Sequence, residues 1–141
     1  MSMKIKTNPW IFMAAANGFI AVSASAFGAH ILKGLEAGGL VLFSQGADFQ
    51  MSHALALLGV GVFANFVNPE AQKALYYSGI SFQVGIILFS GSLYWLGFNG
   101  PGSLGSLHFI PPIGGFSLLI GWGLLTFTSW KTVWGNKKGS H

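Results

Sequence analysis

From Ala74 to Trp130 the chain carries no Asp, Glu, Lys or Arg. No other feature constrains the fold as much. A helix needs about 20 mostly apolar residues to cross the hydrocarbon layer of a bilayer, so this stretch is long enough to cross twice. Asn99-Gly100-Pro101-Gly102 divides it, because a continuous helix does not tolerate that turn sequence cheaply. Two further uncharged stretches precede it, one between Thr7 and Leu32 and one from Phe49 to Pro69. The apolar runs are continuous, without the short-period alternation of a membrane β-barrel, which favours helices. The expectation is one integral membrane domain over 1–141, an all-α four-transmembrane-helix bundle with spans at about 9–31, 49–68, 74–98 and 109–130. The segment 31–47 has Leu40, Phe43 and Ala47 at helical spacing and reads as a short interfacial helix between spans one and two.

Composition agrees. Only 7% of the 141 residues are charged and 52% are apolar, against about 25% charged in soluble domains. The net charge of +4 comes from scattered lysines with no arginine, so nucleic acid is not an expected partner. Without cysteine there are no disulfides, thiolate metal sites or cysteine nucleophiles. No paired carboxylates or Ser/His/Asp order suggests catalysis, and the glycine-rich run from Gly97 to Gly105 lacks a phosphate-binding ending. No catalytic residue is expected.

The lysines set an orientation, because short cytoplasmic segments carry the positive excess. Lys4, Lys6, Lys73, Lys131, Lys137 and Lys138 fall on one side of the four spans, and only Lys33 falls on the other. Both termini are therefore expected in the cytoplasm. Residues 1–26 mimic a cleavable signal peptide, yet the apolar run continues past Ala24-Ser25-Ala26, so the segment reads as a retained span. Most Trp and Tyr residues lie near the expected span ends, as interfacial anchors do.

Inside the bilayer, small residues mark helix contact faces. Span one offers Ala14, Gly18, Ala21, Ser25, Ala26 and Ala29. Span three offers Gly79, Gly91 and Ser92, and span four Gly114, Ser117 and Gly121. These predict a filled bundle with no conduit. Asn17 and Gln83 lie at matching depth, roughly 12–14 Å from the lysine-rich side, which predicts an interhelical hydrogen bond between them. No acidic or basic residue falls within a span as drawn, which argues against a proton- or cation-coupled transporter. His30, His53 and His108 all fall at the opposite rim, near Glu36, Asp48 and Gln50. They are the candidate ligands for zinc or copper, and an axial pair of them for haem. The ordinary alternative is that these histidines cap helices and bond to carbonyls, with His141 in a solvated tail.

Four segments carry a family resemblance: Ser25–His30 (SAFGAH), Phe49–Leu58 (FQMSHALALL), Gly85–Leu96 (GIILFSGSLYWL), and Pro112–Gly115 leading to Gly121-Trp122. The chain resembles the YgdD-like family of small membrane proteins, the domain of unknown function 423, which includes transmembrane protein 256. The resemblance implies four spans, a bacterial inner membrane or a mitochondrion, and no established activity. It carries over His30, Gln50, His53, Ser90, Ser92 and Tyr94. His108 matches no motif of that family, and Asp48 stands where a basic residue is more usual, which weakens a three-histidine metal site. His30, Gln50 and His53 are left as the candidate cofactor site for haem, quinone or copper. The leading expectation is a non-enzymatic accessory or assembly subunit of a larger membrane complex, in contact with lipid and with other subunits or further copies of itself. A small transporter is the third reading.

Overall fold

The computed structural model describes residues 8–34 and 37–135, and among them every regular element is helical. Helix α1 spans Pro9–Ile31 and α2 spans Ala37–Phe63. Helix α3, Pro69–Gly85, passes through a π-helical turn, Ile86–Ser90, into α4, Gly91–Asn99, so the three form one continuous rod. Helix α5 spans Ile110–Gly135. Three of the four rods are long and apolar enough to cross a membrane: α1, the α3–α4 rod, and α5 with the short 3-10 turn before it.

Local chemistry sets the helix ends. Asn8 caps α1 by accepting from the Trp10 amide at 3.1 Å, with Pro9 at the first helical position, where no amide hydrogen is needed. The same side chain donates to the Gly61 carbonyl at 2.9 Å, tying the start of α1 to the end of α2. Asn68 caps α3 in the same way, through the Ala71 amide at 2.9 Å. The α3–α4 rod stops at Gly100, whose φ of 92° suits glycine and few other residues. Pro111 and Pro112 fall in the first turn of α5, where their missing amides are harmless.

The helices pair as α1 with α2 and α3 with α5, and α2 also packs on α4 and the π turn. Trp10, Leu57, Val60, Leu75, Phe82, Ile86 and Leu118 form the central core. Small residues let these side chains in. A Cβ at Gly79 would lie 2.3 Å from the Trp10 indole, and one at Gly121 would lie 2.7 Å from the Phe82 ring. Gly39 and Gly97 mark a backbone-to-backbone crossing of α2 and α4, since a Cβ at Gly39 would meet the Gly97 carbonyl oxygen at 2.6 Å. Gly114 packs against the Phe89 amide, whereas Gly18 and Gly91 face open space. Ala14 and Ala21 are buried, and Ser25, Ala26 and Ala29 are exposed. The contact face of α1 is therefore narrower than its small residues imply.

Two expectations are corrected along α2. A separate interfacial helix is absent among the described residues: residues 37–47 are the first half of α2 itself. Phe43 and Ala47 are buried, and Phe43 packs on the Tyr94 and Phe98 rings at centroid distances of 4.8 and 5.2 Å. The aromatic contact with α4 holds this half upright in the bundle. As a result Asp48 lies inside a 27-residue helix, roughly 16 Å from its Ala37 end, and not just ahead of a span. Glu36, Lys4, Lys6, Lys137, Lys138 and His141 lie outside the described residues.

Gly79→Ala should cost about 1–3 kcal/mol, because the added methyl overlaps a buried indole that has no room to retreat. Gly18→Ala should leave stability unchanged or slightly raised. Thermal unfolding of both variants in one mild detergent checks the pair.

Candidate functional site

The polar residues of the bundle interior gather into two groups, both well away from the helix ends. The first joins four helices. Asn17 on α1 donates one amide hydrogen to Gln83 Oε1 on α3 at 2.8 Å and the other to the Met13 carbonyl at 2.9 Å. Its Oδ1 accepts from Gln50 Nε2 on α2 at 3.0 Å, and Gln50 Oε1 accepts from the Tyr94 hydroxyl on α4 at 2.7 Å. Asn17 and Gln50 are buried, at 6% and 5% exposure. The order Tyr94–Gln50–Asn17–Gln83 fixes which end of each amide donates.

The second group surrounds His53, also buried on α2. Its Nδ1 lies 2.8 Å from the Phe49 carbonyl, one turn earlier on the same helix. A carbonyl only accepts, so Nδ1 carries the hydrogen and Nε2 presents a lone pair. Trp122 on α5 fills that lone pair with its indole N–H at 3.2 Å. Phe49 stacks nearly parallel to the imidazole, with rings 11° apart, and Phe82 closes another side. Both nitrogens of the neutral ring are therefore occupied, and neither is free for a metal.

The candidate ligand sets do not assemble. His30 is exposed at the end of α1. His108 is exposed between α4 and α5, its ring nitrogen 3.1 Å from the Gly105 carbonyl. His53 lies about 24 Å along α2 from Ala37, because α2 begins earlier than a span opening at Phe49 would. Among the described residues no three His, Cys, Asp or Glu side chains are grouped to hold a metal. The set His30, Gln50 and His53 separates likewise: Gln50 turns to Asn17 and Tyr94, and His53 to Trp122.

The hydroxyls serve the same packing. Ser78 donates to the Gly121 carbonyl at 2.7 Å and Ser117 to the Ser81 carbonyl at 2.8 Å, which stitches α3 to α5. Ser92 bonds back to the Leu88 carbonyl within the rod. Ser90, at the end of the π turn, is buried, and among the described residues its hydroxyl oxygen has no partner. A depression of about 440 Å³ lies apart from both groups, at the end of the bundle where α3 starts and α5 stops, with Asn68, Thr128 and the exposed Lys131–Glu70 pair in its wall.

The family resemblance carries over Tyr94 and has Trp122 in one of its segments, but by position both read as interfacial anchors, and their hydrogen bonds to Gln50 and His53 were not expected. Trp122 stands near the middle of α5, and that position was the available signal.

Residues 24–115 match the family described as protein of unknown function, DUF423. The chain belongs to this family. It is 38% identical over 126 residues to a UPF0382 membrane protein of Haemophilus influenzae, covering 89% of this chain and 96% of that one. It is 37% identical over 116 residues to the UPF0382 inner membrane protein YgdD of Escherichia coli K12, covering 82% and 84%. A UPF0382 membrane protein of Staphylococcus aureus is 37% identical over 123 residues, covering 86% and 95%. No solved structure matches. The chain is thus a small helical membrane protein of an uncharacterised family. The family match takes in Gln50, His53, Gln83 and Tyr94, while Asn17 and Trp122 lie on either side of it.

A double-mutant cycle with Asn17→Ala and Gln83→Ala should give a coupling near 0.6 kcal/mol and below about 2, the range for hydrogen bonds between membrane helices. Reversible unfolding in mixed micelles measures it. The Trp122 indole N–H should exchange slowly with deuterium and lose that protection in His53→Leu, which amide-resolved NMR reads directly.

Proposed function

We propose that this protein crosses the membrane four times as one integral domain and acts as a non-catalytic accessory or assembly subunit of a larger membrane complex. One observation carries the reading: the interior side-chain amides, the Tyr94 hydroxyl and the His53 imidazole are taken up by hydrogen bonds within the bundle. Asn17, Gln50, Gln83 and Tyr94 form one hydrogen-bonded chain, and His53 has both nitrogens occupied. An enzyme or a carrier keeps polar groups convergent on a reacting or travelling molecule. Here they converge on each other, which leaves the lateral surface as the place where the protein acts.

Supporting α2 as the fourth span is its length of 27 residues, about 40 Å, and its place alongside α1 and α4. Lys73 and Lys131 lie at the end where α3 begins and α5 finishes. By the positive-inside tendency that end is cytoplasmic, in the inner membrane, as the name of the Escherichia coli relative has it.

Native mass spectrometry of the protein, extracted in mild detergent from its own membranes, tests the reading. The expected result is excess mass matching other polypeptides in fixed stoichiometry. Recovery of this chain only, alone or with itself, overturns the accessory role.

A further inference from the structure

Asp48 faces outward from the middle of α2. Its side chain is exposed, and among the described residues it makes no hydrogen bond or ion pair. An acidic side chain at bilayer depth costs several kcal/mol against lipid, and such residues face a protein interior, a partner or water. Asp48 is not isolated. Gln45, Asp48, Ser52, Leu55, Gly59 and Val62 are all exposed, and they follow one another at intervals of three, four, three, four and three. Val41, Ser44 and Leu58 are exposed beside this row, so one side of α2 is open, and a row at this spacing can lie along a parallel partner as an a/d seam. The opposite face of α2, with Phe43, Gln50, Ala54 and Leu57, is the one buried in the bundle.

We infer that the outer stripe of α2 is an intramembrane interface between two copies of this chain, with Asp48 at its centre. The occupant is a second copy for two reasons. Copies are inserted in one direction, so their α2 helices run parallel and their identical stripes meet in register, layer on layer. The stripe is also complementary to itself. In a parallel pair each a-position side chain rests among the neighbouring d positions of the other helix. Gln45 and Ser52 of each copy therefore flank the Asp48 of the other, an amide and a hydroxyl donor beside a carboxylate acceptor. Those donors offset the like-charge contact of two Asp48 carboxylates in one layer. At Gly59 a Cβ would meet nothing within 4 Å, so the helices can approach closely there.

The interface rests on the four-span reading, since it requires Asp48 to lie within the bilayer, but not on the accessory role. The chain has no cysteine, so single-cysteine variants report cleanly. Ser52→Cys and Leu55→Cys on the stripe are compared with Leu119→Cys on α5 and Val22→Cys on α1, both exposed and away from α2, in native membranes with a membrane-permeant oxidant. Disulfide-linked dimers should form about tenfold more at the stripe positions than at the controls, as a seam with a 3.5-residue period requires. Equal yields at all four positions, or linkage of the stripe cysteines to another polypeptide, overturns the pairing of copies. A membrane-impermeant maleimide, applied from each side, separates the two layers of the argument. If Ser52→Cys reacts as fast as Ser103→Cys in the α4–α5 connection, α2 lies in water and the four-span reading itself fails. If Ser52→Cys is protected yet gives no dimer, the four-span reading stands and the second copy is rejected.

Discussion

Asn17 makes two interhelical hydrogen bonds at once, and the packing of the other helices depends on them. Lipid offers no partner for an amide, so a polar group placed at this depth must find another across a helix interface. Asn17 binds Gln83 on one side and Gln50 on the other, and Gln50 hands the chain on to Tyr94. Each bond fixes the rotation and the height of a helix. Given those, Gly79 meets Trp10, Gly121 meets Phe82, and Gly39 meets the Gly97 carbonyl. Each bond is modest in energy, but each rules out many wrong rotations, because any of those would leave an amide facing hydrocarbon.

His53 follows the same logic with a different outcome. A histidine inside a membrane protein invites a reading as a ligand, and its ring nitrogens would have to be free for that. Here a carbonyl on its own helix takes one nitrogen and an indole takes the other. The imidazole acts as a polar spacer between α2 and α5, held between Phe49 and Phe82. The same residue at the end of a helix, as His30 and His108 are, faces outward and contributes little to packing.

Helix α2 divides its residues between a buried and an exposed face. One face supplies Phe43, Gln50, His53 and Leu57 to the bundle, while the other shows Gln45, Asp48 and Ser52. Gln50 and His53 on the first face lower the hydropathy as much as the polar residues of the second, and together they leave α2 outside the helices apolar enough to cross a membrane by composition alone. Reading the charged Asp48 as a boundary placed the start of this helix too late, because the charge lies within α2.

The amino-acid order was enough to establish long apolar helices and the break at Asn99–Gly102, because hydropathy and turn chemistry are local properties. It also pointed to Asn17 and Gln83, since two amides at equal depth in adjacent apolar helices have few alternatives. The tertiary structure decided what depends on axial register and on angle about each helix. It made α2 start at Ala37, carried His53 to mid-helix, turned Tyr94 and Trp122 inward, and left Gly18 idle while Gly79 received an indole. A shift of one turn or a rotation of a third of a turn leaves composition and hydropathy unchanged, yet it replaces every contact on a face. Only the simultaneous packing of all the helices selects among such arrangements.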